Sequence, residues 1–406
     1  MKVLYKKFSQ IVTLTDALKK EGRNLLPSDL SILENASLIT EDGKIIWVGL
    51  DADLPKSHKF DETVYCSGKI VLPEFVDSHT HLLFAGDRSN EYFMRLSGAS
   101  YEEIAKAGGG ILSSQKAFSE ANPEQLYQLA LNRIARMNSY GVGSVEIKSG
   151  YGLTHDLELM AMQTLKKIKS KVSPNTNILS TYMAAHAVPK SFSSSKEYLQ
   201  SVVIPLMKVV KDQDLADFVD IFHELNYFTD EDVDLLFKES QKFKLGRRIH
   251  ADEFNDNSGG SIAAKNHCFS ADHLLAISDS SIASLADSET VATLLPGTGF
   301  FLGKPQARAR AILDGGCRVA IATDYNPGSC HFDNLFSLAC WAAPTYKMNP
   351  AELIASITLN PAHSLNLRDQ GAITIGMKSR LAVFNCNSLA QLIYDWGINH
   401  FDYFIR

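Results

Sequence analysis

Eight short β-rich runs recur through the middle of the chain with helical stretches between them, and this alternation limits the fold more than any other feature. The runs are FVDSH, SVEIK, ILSTYM, FVDIF, GRRIH, CFSADH, VATLLP and RVAIAT, and amphipathic segments such as PEQLYQLALNRIARMNSYG and DLELMAMQTLKKIKSK separate several of them. Strand, helix and strand in this order build parallel βα units. A barrel or a doubly wound sheet can close such units. No GxGxxG turn follows the first strand, which favours an α/β fold of the (β/α)8 TIM-like barrel type and leaves the doubly wound sheet as the alternative.

The two ends of the chain have another rhythm. QIVTL, ASLI, KIIWVGL and SGKIVLP near the start are short β-like runs separated by turn chemistry, and GAITIGMKSRLAVFN near the end returns to that style, with ITI and LAVF flanking the Gly376 turn. We therefore expect 1–73 and 366–406 to form one small discontinuous β-sandwich domain around a barrel at 74–365. The 406 residues suit this division, because a barrel of about 250 residues leaves room for a companion.

A formal net charge of −6 gives no basic footprint for nucleic acid or an anionic membrane. The six cysteines are scattered without a CxxC pair and read as reduced, buried thiols. The start of the chain lacks the apolar core of a signal peptide, and no apolar run approaches the roughly 20 residues of a membrane span. A cytoplasmic location is the expectation.

Catalytic side chains in such barrels come from the C-terminal ends of strands and the loops after them. His79 and His81 end the first strand, and residues two apart on a strand share a face, so both imidazoles can reach one metal. Taken alone, an HxH pair could equally sit in a surface turn. His250 closes the fifth strand in RRIHADE and Asp324 the eighth in IATDYNPG, and four donors from three strand ends make a site. Nitrogen and carboxylate donors suit Zn2+ or another borderline ion holding a reactive water. Glu253, three residues after His250, can take a proton from such a water and pass it to a leaving nitrogen, although a helix-start carboxylate is its plainer explanation. His273 ends the sixth strand, where a neutral imidazole could polarise a substrate carbonyl or simply be a hydrogen-bonded core residue.

Arg88 in LLFAGDRSNEY is placed to bind a substrate carboxylate bidentately, and Tyr151 and His186 follow the second and third strands, where each could donate into a pocket. The GGGI run at 108–111 lacks the Gly-Lys-Ser/Thr of a phosphate cradle and reads as a mobile loop near the site. Lys148 ends the second strand and reads as structural, or as support behind the ligands, rather than as a carboxylated bridge between two metals.

The segments FVDSHTHLLFAGDRSNEY, AGGGI, EIKSGYGL, AAHAVP, HADEF, SADHL, LLPGTGFFL and ATDYNPGS, in this order and over nearly the whole chain, resemble the imidazolonepropionase family, amidohydrolases of histidine degradation. HTH is shared across the superfamily, whereas FAGDRSNEY, EIKSGYGL and ATDYNPGS are more specific. The resemblance implies hydrolysis of the ring amide of 4-imidazolone-5-propanoate, a small-molecule substrate, to N-formimidoyl-L-glutamate. It implies one Zn2+ or Fe3+ per chain and a homodimer. Carried over residue by residue, it implies His79, His81, His250 and Asp324 as metal ligands and Glu253, His273 and Asp324 as catalytic groups. Arg88, Tyr151, His186, Glu253, Asn326, Gly328 and Ser329 would then contact the substrate. Two positions depart from the superfamily pattern: Glu74 stands where Gly is usual before the first barrel strand, and Arg380 where an acidic residue commonly precedes the last strands.

Which of Glu253, His273 and Asp324 takes the first proton, and whether the ion is zinc or iron, stays open at this level. A deaminase of a cyclic amidine shares the HxH, His and Asp elements, but a neutral base has no carboxylate to pair with Arg88. A barrel that has lost catalysis and serves as a scaffold should lack ligands, and none is missing.

Overall fold

The computed structural model describes residues 1–55, 59–100, 103–104 and 108–406. The eight central runs form strands β6 (Phe75–Asp77), β7 (Val142–Lys148), β8 (Asn177–Ala185), β9 (Phe218–His223), β10 (Gly246–Ala251), β11 (Ser270–His273), β12 (Val291–Leu294) and β13 (Val319–Ile321). They pair in parallel and in sequence order into one eight-stranded sheet. Every residue of β7 and β9 is buried, as expected of parallel strands covered on both sides.

The barrel closes just beyond β6 and β13. Thr80 and Tyr325 form a parallel bridge, the Asp324 amide donates to the His79 carbonyl at 3.0 Å, and the His81 amide donates to the Tyr325 carbonyl at 3.1 Å. Below that seam the Thr323 hydroxyl donates to Asp77 Oδ2 at 2.6 Å. The closing residues are thus the candidate ligands and their neighbours.

Helices cover the outside for readable reasons. The helix Pro123–Asn138 starts with an Asn122 cap that accepts from the Gln125 amide, and with Pro at its first turn. Its buried stripe Leu126, Ala130, Ile134 and Met137 has helical spacing and faces the sheet. Truncating Leu126 or Ile134 to Ala should cost about 2–5 kcal/mol. The helix His155–Val172 repeats the pattern with a Thr154 cap and buries Ala161, Met162, Leu165 and Ile168.

Both chain ends meet in a second, mixed sheet. It contains β1 (Lys2–Val12), β2 (Ile32–Glu41), β3 (Lys44–Leu50), β4 (Glu62–Tyr65), β5 (Ile70–Pro73), β14 (Leu381–Phe384) and β15 (Phe401–Ile405), in the order β15-β14-β5-β1-β2-β3 with β4 also against β1. The antiparallel pairing of β14 with β5 sets Leu381 opposite Pro73 and Phe384 opposite Ile70, which joins the end of the chain to its beginning. LAVF is β14, but ITI is not a strand. Left-handed Gly371 and Gly376 bracket ITI and bend the chain, so it makes single bonds to both neighbours: the Ile373 amide donates to Thr13 O and the Gly376 amide to Ile45 O, each at 2.8 Å.

The two positions that depart from the superfamily pattern are partners. Glu74 and Arg380 are both buried, and Arg380 Nε donates to Glu74 Oε1 at 2.7 Å. The same oxygen accepts from Ser144 Oγ at 2.6 Å, and Arg406 Nη1 pairs with Oε2. Gly143 makes room for this group, since a Cβ there would stand 1.9 Å from Glu74 Oε2. All six cysteines are buried and free, and among the described residues no helix is long and apolar enough to cross a membrane.

Candidate active site

One ring nitrogen each of His79, His81 and His250 lies within 4.8 Å of the others, and all three residues are buried. Asp324 Oδ1 stands 3.6 Å from His79 Nε2 and 3.7 Å from His81 Nε2, and His250 Nε2 is 3.4 Å from His81 Nε2. His79 Nε2 has no hydrogen-bond partner although it is buried. Burial holds the His79 and His81 rings well below their ordinary pKa, so both are neutral. Lone pairs from neutral imidazoles and a carboxylate oxygen converge here without a proton to share. That donor set fits a borderline divalent or trivalent cation.

Carboxylates fix the imidazoles from behind. His79 Nδ1–H donates to Asp272 Oδ2 at 2.7 Å and His250 Nδ1–H to Asp220 Oδ1 at 3.1 Å, which turns each Nε2 toward the common point. Both aspartates belong to a fully buried ion network. Lys148 Nζ donates to Glu146 Oε1 at 2.8 Å and Asp220 Oδ2 at 2.7 Å, and Arg248 Nη2 lies 3.4 Å from Asp272 Oδ2. Burial opposes the Lys148 charge, yet Asp220 and Glu146 raise its pKa above the usual value. Its amine is enclosed by carboxylates, the supporting role expected of it. Asp324 is set by Thr298, whose hydroxyl donates to Oδ2 at 2.5 Å, and by a left-handed backbone with φ 51°. His273 is also left-handed, at φ 80°, a conformation that costs a non-glycine residue and is retained at functional positions.

These residues open into a cavity of about 210 Å3. Of the residues expected at the site, His81, Arg88, Tyr151, His186, His250, Glu253, His273, Asp324, Asn326, Gly328 and Ser329 line it, and His79 stands behind. Glu253 Oε2 is 3.5 Å from His273 Nε2. Burial, and then the charge of Asp324, push the Glu253 carboxyl well above the usual range. Burial pushes Asp324 up to about 6. His186 stacks on His81 at 5.0 Å between centroids, donates from Nδ1 to the Gly150 carbonyl at 3.1 Å, and is lowered by burial to about 4. Asn326 braces its own loop: its Oδ1 accepts from the Gly328 amide at 2.8 Å and the Ser329 amide at 2.7 Å.

Arg88 differs in detail from the expectation. Its Nε and Nη2 already donate to Glu91 Oε2, at 2.9 and 2.6 Å, so this edge of the fork is engaged within the protein. A Cβ on Gly328 would stand 1.8 Å from Arg88 Nη1, so only glycine admits the guanidinium in this position. Gly110 and Ile111 of the glycine run line the cavity, and the Gly110 amide donates to Glu91 Oε2 at 3.1 Å. Ala107 of AGGGI lies outside the described residues.

Sequence reasoning passed over Asp220, Asp272, Glu146, Arg248, Thr298, Glu91 and Arg95. For the network the available signal was charge inside otherwise apolar strands, as in SVEIK, FVDIF and SADH. For Glu91 it was a position three residues after Arg88 on a helix, Ser89–Leu96.

The model of the amidohydrolase family matches residues 70–402. An imidazolonepropionase of Geobacillus sp. (strain WCH70) is 39% identical over 410 residues, covering 98% of this chain and 95% of that protein. Another, from Bacillus cereus (strain AH187), is 40% identical over 386 residues, covering 94% and 89%. Among solved structures, an adenosine deaminase from Xanthomonas campestris with bound zinc aligns with a TM-score of 0.68 at 17% identity over 94% of this chain and 84% of its own. Atrazine chlorohydrolase of Arthrobacter aurescens TC1, complexed with zinc, aligns at 0.64 and 16% over 95% and 88%. At such identities these two speak to the fold alone.

Proposed function

The chain belongs to the amidohydrolase family and, within it, to the imidazolonepropionases, hydrolases of a cyclic amide carbon–nitrogen bond, and from this premise we propose how its own side chains divide the work. The substrate is 4-imidazolone-5-propanoate and the product N-formimidoyl-L-glutamate. His79, His81, His250 and Asp324 hold one Zn2+ or Fe3+ ion per chain. When bound, such an ion supplies Lewis acidity and a water more acidic than bulk water. The observation that carries this reading is the convergence of those four donors on a cavity that also holds the Arg88 guanidinium.

Hydrolysis joins the oxygen of water to the ring carbonyl carbon and breaks the bond from that carbon to the ring nitrogen, which leaves with a proton. Glu253 takes the proton from the attacking water and delivers it to the nitrogen. Burial and the charge of Asp324 raise its pKa, so the carboxyl holds a proton more firmly than an ordinary glutamate until the leaving nitrogen takes it. His273, 3.5 Å from Glu253, stabilises the charge that develops on the carbonyl oxygen. Tyr151 and His186 orient the ring, Arg88 meets the propanoate arm, and the Asn326 to Ser329 loop closes over the bound molecule. The barrel domain spans 74–365 and the small domain 1–73 with 366–406. A homodimer in the cytoplasm completes the reading.

Incubation with enzymatically generated imidazolone propanoate, followed by mass spectrometry and metal analysis, tests it. We expect N-formimidoyl-L-glutamate and about one transition metal per chain. Ammonia release from a cyclic amidine, with the imidazolone untouched, would replace this reading with the deaminase.

A further inference from the structure

Arg88 precedes the helix Ser89–Leu96 and Arg95 lies within it, seven residues on. Two helical turns put both on one face, about 10 Å apart along the axis, within the reach of two arginine side chains. Both line the cavity. Between them stands Glu91, three residues after Arg88 and four before Arg95. A glutamate four residues ahead of an arginine is the favoured arrangement for an ion pair on a helix. Glu91 nevertheless turns the other way: its Oε2 accepts from Arg88 Nε at 2.9 Å, from Arg88 Nη2 at 2.6 Å and from the Gly110 amide at 3.1 Å. Among the described residues no ion pair reaches Arg95, and its Nη1 is buried without a hydrogen-bond partner.

The two guanidiniums therefore differ in charge balance. Arg88 is neutralised by Glu91 and pinned against Gly328, so it carries direction but little net charge. Among the described residues nothing balances Arg95, which leaves it a donor open. We propose that Arg95 is the charge partner of the substrate carboxylate, and that Arg88 and Arg95 form a clamp in which the first orients the propanoate arm and the second supplies the attraction. This rests on the reading that the substrate bears such an arm. A cation with a donor still open gives a charge-assisted bond to a carboxylate, stronger than one made by a group already paired. Glu91 becomes the positioning residue that keeps the roles apart.

The test uses the metal-loaded enzyme and two substrates, the imidazolone propanoate and its propanamide analogue. Arg95→Met keeps the apolar stem and removes the charge. On the acid its KM should rise by about 10- to 100-fold with kcat within about threefold, and on the amide KM should move by less than about threefold. Arg95→Lys should recover most of the loss on the acid, because here charge matters more than the planar fork. Equal losses on acid and amide, or no loss on either, overturn the proposal. Calorimetric titration of the same variants with glutarate needs no turnover and separates the two failures. Weaker glutarate binding by Arg95→Met upholds the clamp even if wild type leaves the imidazolone untouched, and unchanged binding overturns it.

Discussion

Two clusters of buried charge lie at opposite ends of the same barrel, and their balances are opposite. At the ligand end Glu146, Asp220 and Asp272 face Lys148 and Arg248, so carboxylates are in excess. The excess is directed at imidazoles, where Asp272 and Asp220 each accept from a histidine whose other nitrogen faces the site. At the other end Glu74 alone faces Arg380 and Arg406, and cations are in excess. Most of their surplus donors go to main-chain oxygens: Arg380 reaches the carbonyls of Gly143 at 2.8 Å and Pro174 at 3.0 Å, and Arg406 reaches that of Asn175 at 3.1 Å, with Arg406 Nη2 left without a partner. Buried charge alone therefore does not mark a functional site. The sign of the imbalance and the group that absorbs it do: a carboxylate excess prepares a place for a cation, whereas a cation excess capped by carbonyls stitches the last strands to the barrel.

The largest expected effect is at the stitch. Glu74→Ala leaves two guanidiniums without their carboxylate, and breaking a buried pair from one side costs about 3–5 kcal/mol. Urea unfolding should show that loss while the metal content of the folded protein stays at the wild-type level. A variant as stable as wild type would dissolve the contrast. Glu253→Gln sharpens it from the reacting side, with kcat expected to fall by about 100-fold or more at unchanged metal content and stability. Turnover near wild type would move the proton transfer to another group.

Asp272→Asn should be smaller and differently placed. Loss of a carboxylate behind a ligand histidine lowers metal affinity by about 10- to 100-fold. Competition with a chromophoric chelator measures it, and an equal drop in Glu74→Gln would show that the two clusters are not distinct in role. The smallest effect belongs to Thr298→Val, which removes one hydrogen bond to Asp324. At about 1 kcal/mol, metal affinity should change by roughly fivefold. No change in the same competition assay would leave the left-handed backbone as the feature that sets Asp324.

The strands were legible because parallel barrel strands are short, apolar and evenly interrupted, and the candidate site was legible because its residues sit where those strands stop. What lies inside the strands was not. Asp220 within FVDIF or Glu146 within SVEIK reads as the polar side of an alternating strand until closure of the barrel turns that side inward. Glu74 and Arg380 stood out separately, but 306 residues apart nothing local joins them. The choice of Glu91 between Arg88 and Arg95 is settled by the Gly110 amide, a contact made by another segment. ITI has the composition of a strand and fails for want of length between two glycine bends.

The seam between β6 and β13 makes the site the last part of the ring of barrel strands that the chain can close. Thr323 and Asp77 are bonded across 246 residues, and the histidines at one side of that seam are translated long before Asp324 at the other. Loop-closure entropy rises only slowly with length, so the delay is one of synthesis and docking order rather than of thermodynamic cost. A nascent or truncated chain that stops before β13 can display the three histidines but not the fourth donor. With the ligand set proposed above, a full set of four donors therefore exists only in a chain whose eighth strand has docked beside the first.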